Sequence, residues 1–124
     1  MSPRSEEFME QAKERAIAAQ ELLEAGHLEP AVSVAYYAML NAARAALSEG
    51  DEHARTHRGT WHLFRERYVV TDAFDEKLHA LATNAQHARE QGDYEAVTPD
   101  PAEARKIVKG AAIFTAAVEQ MLEV

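Results

Sequence analysis

The residues of this chain best suited to chemistry gather between His53 and Arg67. That window holds Arg55, Arg58, Arg65 and Arg67, a single acid, Glu66, and the histidines His53, His57 and His62. With neutral histidines it carries +3, against −8 for the whole chain and so −11 for the remainder. Guanidinium groups hold phosphate through forked, charge-assisted hydrogen bonds. Thr56-His57-Arg58-Gly59 leads into a helical segment, and helix starts favour anions. Thr56, His57 and Arg58 are therefore candidates for binding a phosphate or nucleotide. The same pattern also suits a solvated loop whose arginines pair with surface carboxylates. His53 and His57 stand four apart, a spacing that can ligate metal on a helix. Gly50, Asp51 and Gly59 mark much of the stretch as loop, and no HExxH pattern or carboxylate cluster completes a ligand set. No metal is expected.

Two further groupings lie outside this window. Tyr37, Asn41 and Arg44 share one face of an otherwise apolar segment at i, i+4 and i+7. Such a strip lines a pocket or satisfies itself across a subunit interface; a buried tyrosine ordinarily needs only one partner, which favours the structural role. Arg89-Glu90-Gln91-Gly92-Asp93-Tyr94 closes another segment. Arg89 suits a helix C-terminus and Asp93 can pair with it. That describes a capped helix end, or an Arg–Asp–Tyr cluster at the mouth of a cleft; residue chemistry alone favours the cap. No Gly-rich phosphate loop is present, and no Ser/His/Asp order stands out.

Composition narrows the classes. The 124 residues suit one domain, 1–124, and bury somewhat over about 60% of the unfolded surface. The absence of cysteine excludes a disulfide framework, a cysteine-zinc site, an iron–sulfur cluster and a thiol nucleophile. The −8 charge argues against non-specific nucleic-acid binding. Residues 1–7 lack the apolar core of a signal peptide, and the weakly apolar stretch 110–118 is far short of the ~20 residues of a membrane span. A soluble cytoplasmic protein with no membrane association and no cofactor is expected.

Five segments must position these groups. Gly26, Pro30, Gly50, Gly59, Gly92, Pro99 and Pro101 divide a chain rich in Ala, Leu, Glu, Gln and Arg, all helix formers. The first segment, about 5–25, repeats Phe8, Ala12, Ala16, Ala19, Leu22 and Leu23 at helical spacing, with Gly26 as its stop. The second, about 30–48, is apolar almost all round and should be central. The third, about 60–69, carries Trp61, Phe64 and Tyr68, and Tyr68-Val69-Val70-Thr71 reads as its end rather than a strand. The fourth runs from 72 or 73 to 91. The fifth starts at an Asp100 N-cap with Pro101 at N1 and Glu103 at N3. Five helices with short connections predict an all-α, up-and-down bundle.

Ala35-Tyr36-Tyr37-Ala38-Met39, then Thr56-His57-Arg58-Gly59, then Arg89 followed by Asp93-Tyr94 resemble the HEPN domain family in its small stand-alone prokaryotic branch. The likeness covers nearly the whole chain. It implies a helical bundle that forms a homodimer and is encoded beside a minimal nucleotidyltransferase, in a module of toxin–antitoxin type. Many members are metal-independent ribonucleases in which an Arg, followed after four to six residues by a His, acts at the dimer cleft. There the Arg stabilises phosphorane charge and the His transfers protons. In this chain Asp93-Tyr94 stands where that His is expected, and the spaced pair Arg55 and His62 lies away from the usual place. In some members a tyrosine near the motif receives nucleotide from the partner enzyme; by position this is Tyr94.

Three functions follow as expectations. One is a toxin-like or nucleotide-binding partner of a minimal nucleotidyltransferase, with Arg89, Asp93 and Tyr94 at its cleft. Another is an RNA endonuclease using Arg89 with Asp93, Tyr94 or a His of the basic loop. The third is a phosphate- or nucleotide-binding accessory protein using Thr56, His57 and Arg58, with Arg44 and Tyr37.

Overall fold

The computed structural model describes residues 1–123, and five α-helices account for most of them. They are α1 (Pro3–Glu24), α2 (Leu28–Glu49), α3 (His57–Phe64), α4 (Glu76–Glu95) and α5 (Pro101–Leu122). No strand occurs among the described residues, so the architecture is the expected all-α bundle.

The helix boundaries follow local chemistry. Ser2 caps α1 by accepting from the Ser5 N–H, and Pro3 occupies the first turn, where its missing donor costs nothing. The helix ends in a Schellman arrangement. The His27 N–H bonds to the Leu22 carbonyl at 2.9 Å and the Gly26 N–H to Leu23 at 3.0 Å. Gly26 sits at φ +86°, which only glycine adopts without strain. α2 starts two residues before Pro30, which still lies in the first turn. α3 starts at His57, three residues ahead of the expected start, because the Thr56 hydroxyl accepts from the Gly59 N–H at 2.9 Å. The Tyr68–Val69 stretch is helical, as expected, but α3 continues into it as a π-turn, Arg65–Val69. α4 begins later than expected: Asp75, whose carboxylate accepts from the Lys77 N–H, caps it at Glu76. It then runs past residue 91 to Glu95. Asp100 is the N-cap of α5, as the motif predicts, although its side chain makes no cap hydrogen bond.

α2 is the central element and packs against each of the other four helices. Ala31, Ala35, Ala38, Ala42, Ala43, Ala45 and Ala46 are all fully buried along it. These methyl-sized side chains, gathered on one broad side of the helix, let its neighbours approach the α2 backbone closely. Larger groups close the bundle where alanines leave room: Met39 and Leu40 from α2, Phe64 from α3 and Phe114 from α5. The Phe64, Phe74 and Phe114 rings meet with centroids 5.1–5.8 Å apart, a spacing that favours aromatic pairs. Side chains also bond to the α2 backbone: the buried Ser5 hydroxyl donates to the Ala45 carbonyl at 2.6 Å, and the Tyr68 hydroxyl to Ala46 at 2.7 Å.

Candidate functional site

Tyr36 lies at the centre of a polar–aromatic cluster between α2, α3 and the end of α4. Its hydroxyl accepts the Trp61 Nε1–H at 3.1 Å and lies 3.2 Å from His57 Nδ1. The indole nitrogen only donates, so the phenol is free to pass its own proton toward the imidazole. That assigns His57 as a neutral ring accepting at Nδ1 and carrying its hydrogen on Nε2. The electrostatics agree. Burial, then the positive charges of Arg89 and Arg44, hold His57 below its ordinary pKa. Burial likewise pushes the Tyr36 phenol up, outweighing the opposing Trp61 hydrogen bond and the Arg89 charge, so it stays protonated.

Arg89 reaches this cluster from α4. Its guanidinium carbon sits 5.1 Å from the Tyr36 ring centroid and 5.3 Å from that of Tyr37, so two adjacent tyrosines of α2 cradle one cation. Nη1 donates to Asp93 Oδ2 at 2.8 Å, one helical turn on. The Arg89 side chain is 16% exposed and that of Asp93 44%. The Arg89 Nε is buried and has no hydrogen-bond partner among the described residues. An unpaired buried donor costs about 1–3 kcal/mol. Leaving a guanidinium in this state is unlike the treatment of a surface ion pair. Gly92, between the two partners, leaves room for Glu29 of α2, whose Cγ would lie 3.2 Å from an added Cβ.

The expected site residues therefore separate. Arg89, Asp93, Tyr37 and His57 come together; the Tyr37 and His57 rings meet edge-on with centroids 5.6 Å apart. Arg44 acts on Tyr36 and His57 through its charge. Tyr94 points away and is 83% exposed. Thr56 serves as the cap of α3, and Arg58 is exposed on its first turn. Asn41 bonds to the Tyr37 carbonyl on its own helix at 2.8 Å, which meets its need for a partner locally. Among the described residues, no three His, Asp or Glu side chains gather as a metal-ligand set.

Sequence reasoning passed over Tyr36 and Trp61 as site residues. Trp61 stood among the core aromatics of α3, and its indole N–H gave no sign of a partner on another helix. Tyr36 looked like an ordinary core residue, and its fully buried ring is one. The signal was the Tyr36-Tyr37 pair itself, two adjacent hydroxyl-bearing rings on a helix built mostly of alanine, valine, methionine and leucine.

Comparison with known proteins bears on this arrangement. The chain is 30% identical over 94 residues to a UPF0332 protein of Gloeobacter violaceus, covering 76% of this chain and 75% of the relative. It is 37% identical over 99 residues to a UPF0332 protein of Archaeoglobus fulgidus, covering 77% of each. It is also 28% identical over 117 residues to a protein of Methanocaldococcus jannaschii described by its name as a candidate toxin, covering 94% of this chain and 87% of that one. The model of the HEPN domain matches residues 5–121, spanning all five helices and every residue of the Arg89 cluster, and this chain belongs to the HEPN domain family.

Proposed function

We propose that this protein is a toxin-like HEPN module that acts as a homodimer with a minimal nucleotidyltransferase as partner, its working cleft formed around Arg89 and Asp93. The observation that carries this reading is the treatment of Arg89. A guanidinium held over two tyrosine rings, tied at one end to Asp93 and left with a buried unpaired Nε, is pre-oriented at an energetic cost that a helix cap does not require. The relative named as a candidate toxin supports the same direction. Tyr94 is the residue open to a modifying partner: its side chain is exposed, one position beyond Asp93. The test is to co-express the protein with a minimal nucleotidyltransferase and to measure intact mass. A nucleotide-sized increase that disappears in Tyr94→Phe is expected. Unchanged mass, with no co-purification of the two chains, rejects the pairing.

One observation favours a ribonuclease as a second reading. No histidine follows Arg89 in the chain, yet His57 enters the same cluster from α3, neutral and with Nε2 not engaged by Tyr36. A neutral imidazole beside a guanidinium is a suitable pair for general base and oxyanion stabilisation in phosphodiester cleavage. Asp93 is occupied as the hydrogen-bond acceptor of Arg89 Nη1. Incubating structured RNA without metal decides this. Cleavage abolished by both Arg89→Ala and His57→Ala fits; cleavage indifferent to either sinks it.

A further inference from the structure

A second basic site lies on the other side of Arg44. A cavity of about 140 Å³ opens between the start of α1, the last turns of α2 and the loop before α3. Its wall carries the guanidinium groups of Arg4, Arg44 and Arg55 and the imidazole of His53. Among the described residues none of these three arginines forms an ion pair, although the chain as a whole carries −8. The one acid in the wall, Glu52, is shared with Arg67 through a 2.7 Å bond, so the lining holds three arginines against one carboxylate that already has a partner. Arg4 is steadied instead by the Phe8 ring, with its guanidinium carbon 5.7 Å from the centroid. Three cations from three separate elements thus line one small concave space, and none of them is ion-paired among the described residues.

We propose that this cavity is an anion site that holds a phosphate monoester or inorganic phosphate between Arg4, Arg44 and Arg55. The charge selects among phosphates. A monoester or free phosphate carries about −1.5 to −2 at neutral pH, whereas a phosphodiester link carries a single charge. A wall of three guanidinium groups favours the former, and the surrounding acidic surface repels an extended polyanion. The size of the cavity suits one phosphoryl group with its first hydrogen-bonded shell. The site is separate from the Arg89 cluster and does not depend on the function proposed for that cluster.

The probe is inorganic phosphate, titrated into the purified full-length chain at constant ionic strength while the ring signals of His53 are followed by NMR. A saturable movement of the His53 signals is expected, with those of His87 on α4 unmoved. Phosphate should also raise the melting temperature above that in chloride of equal ionic strength. Arg44→Gln and Arg55→Gln should each weaken phosphate binding about tenfold or more, as the loss of a charge-assisted bond implies, while Arg105→Gln on α5 leaves it unchanged. Arg55 is an exposed loop residue, so its variant retains the fold and decides the matter should the Arg44 variant melt early. An oligoribonucleotide with a 5′-phosphate that competes with free phosphate identifies an RNA end as the source; failure of that oligonucleotide to compete identifies the free anion. No saturable His53 response, an equal response to chloride, or full binding by Arg55→Gln overturns the proposal.

Discussion

Tyr36 does two jobs with one hydroxyl group, satisfying a buried indole and fixing the tautomer of His57. Replacing it with phenylalanine removes both bonds while keeping the ring that packs against Arg89. Trp61 Nε1 is then left buried without its acceptor. Tyr36→Phe should destabilise the fold by about 1–3 kcal/mol in urea unfolding. Two partly buried histidines set a pH dependence. His57 is held below its ordinary value by burial and by Arg89 and Arg44, and His79, beside Trp61 and Phe64, by burial and then Arg65. The unfolded chain therefore binds protons that the folded chain refuses. Stability is full above the ordinary histidine value of about 6.5 and falls as pH drops from there toward the folded values. Melting temperature measured from pH 8 to 5 should decline on the acid side. His57→Gln should flatten part of that decline and leave the share due to His79.

At the scale of the element, the C-terminal end of α4 and the middle of α5 make opposite statements about glycine. Ala96 closes α4 at φ 55°, in the left-handed region where a Cβ is strained. Ala96→Gly should raise stability by up to about 1 kcal/mol, since the relief slightly outweighs the added freedom of the unfolded chain. Gly110 lies inside α5 in ordinary helical backbone, and an added Cβ would meet Leu81 Cδ1 at 3.5 Å, normal contact distance. Gly110→Ala should therefore also stabilise, by about 0.5–1 kcal/mol. Thermal unfolding of both variants checks the pair. If Gly110→Ala lowers the melting temperature, α5 and Leu81 of α4 are packed more tightly than this distance implies. The π-turn Arg65–Val69 belongs to the same scale. It widens the end of α3 so that Tyr68 reaches the Ala46 carbonyl, a geometry that no propensity scale for single residues anticipates.

At the scale of the molecule, α2 decides how the bundle closes. Its alanines are fully buried, so each marks a place where neighbouring atoms already lie against the backbone. Ala42→Leu inserts three carbons at a fully buried position and should cost about 1–3 kcal/mol or more in denaturant unfolding. A neutral result would mean that the helices can part without loss. The distribution of charge is also a property of the whole. An overall −8 coexists with a basic cavity and a cradled Arg89 because the acids lie elsewhere or are engaged, as Glu52 is with Arg67. Lys13 and Glu119 pair across α1 and α5, away from both sites.

Much of this molecule was legible in the order of its residues. Hydrophobic spacing along α1 and α5, the all-round apolarity of α2, and the Gly26 and Asp100-Pro101 punctuation follow from near-neighbour physics, and they determined the five helices and their rank in the core. The pairing of Arg89 with Asp93 was legible too, since i, i+4 neighbours meet on any helix. What stood beyond reach was everything that joins distant segments. Arg89 over Tyr36 and Tyr37, His57 against Tyr36, and Arg4 sharing a cavity with Arg44 and Arg55 each bridge separate helices or loops. Spacing within a segment says which face a side chain takes, but the partner on that face is chosen by how the helices pack. The candidate basic set was therefore divided by the tertiary structure: Thr56 went to a helix cap, His57 to the Arg89 cluster, and Arg44 to the wall between two sites.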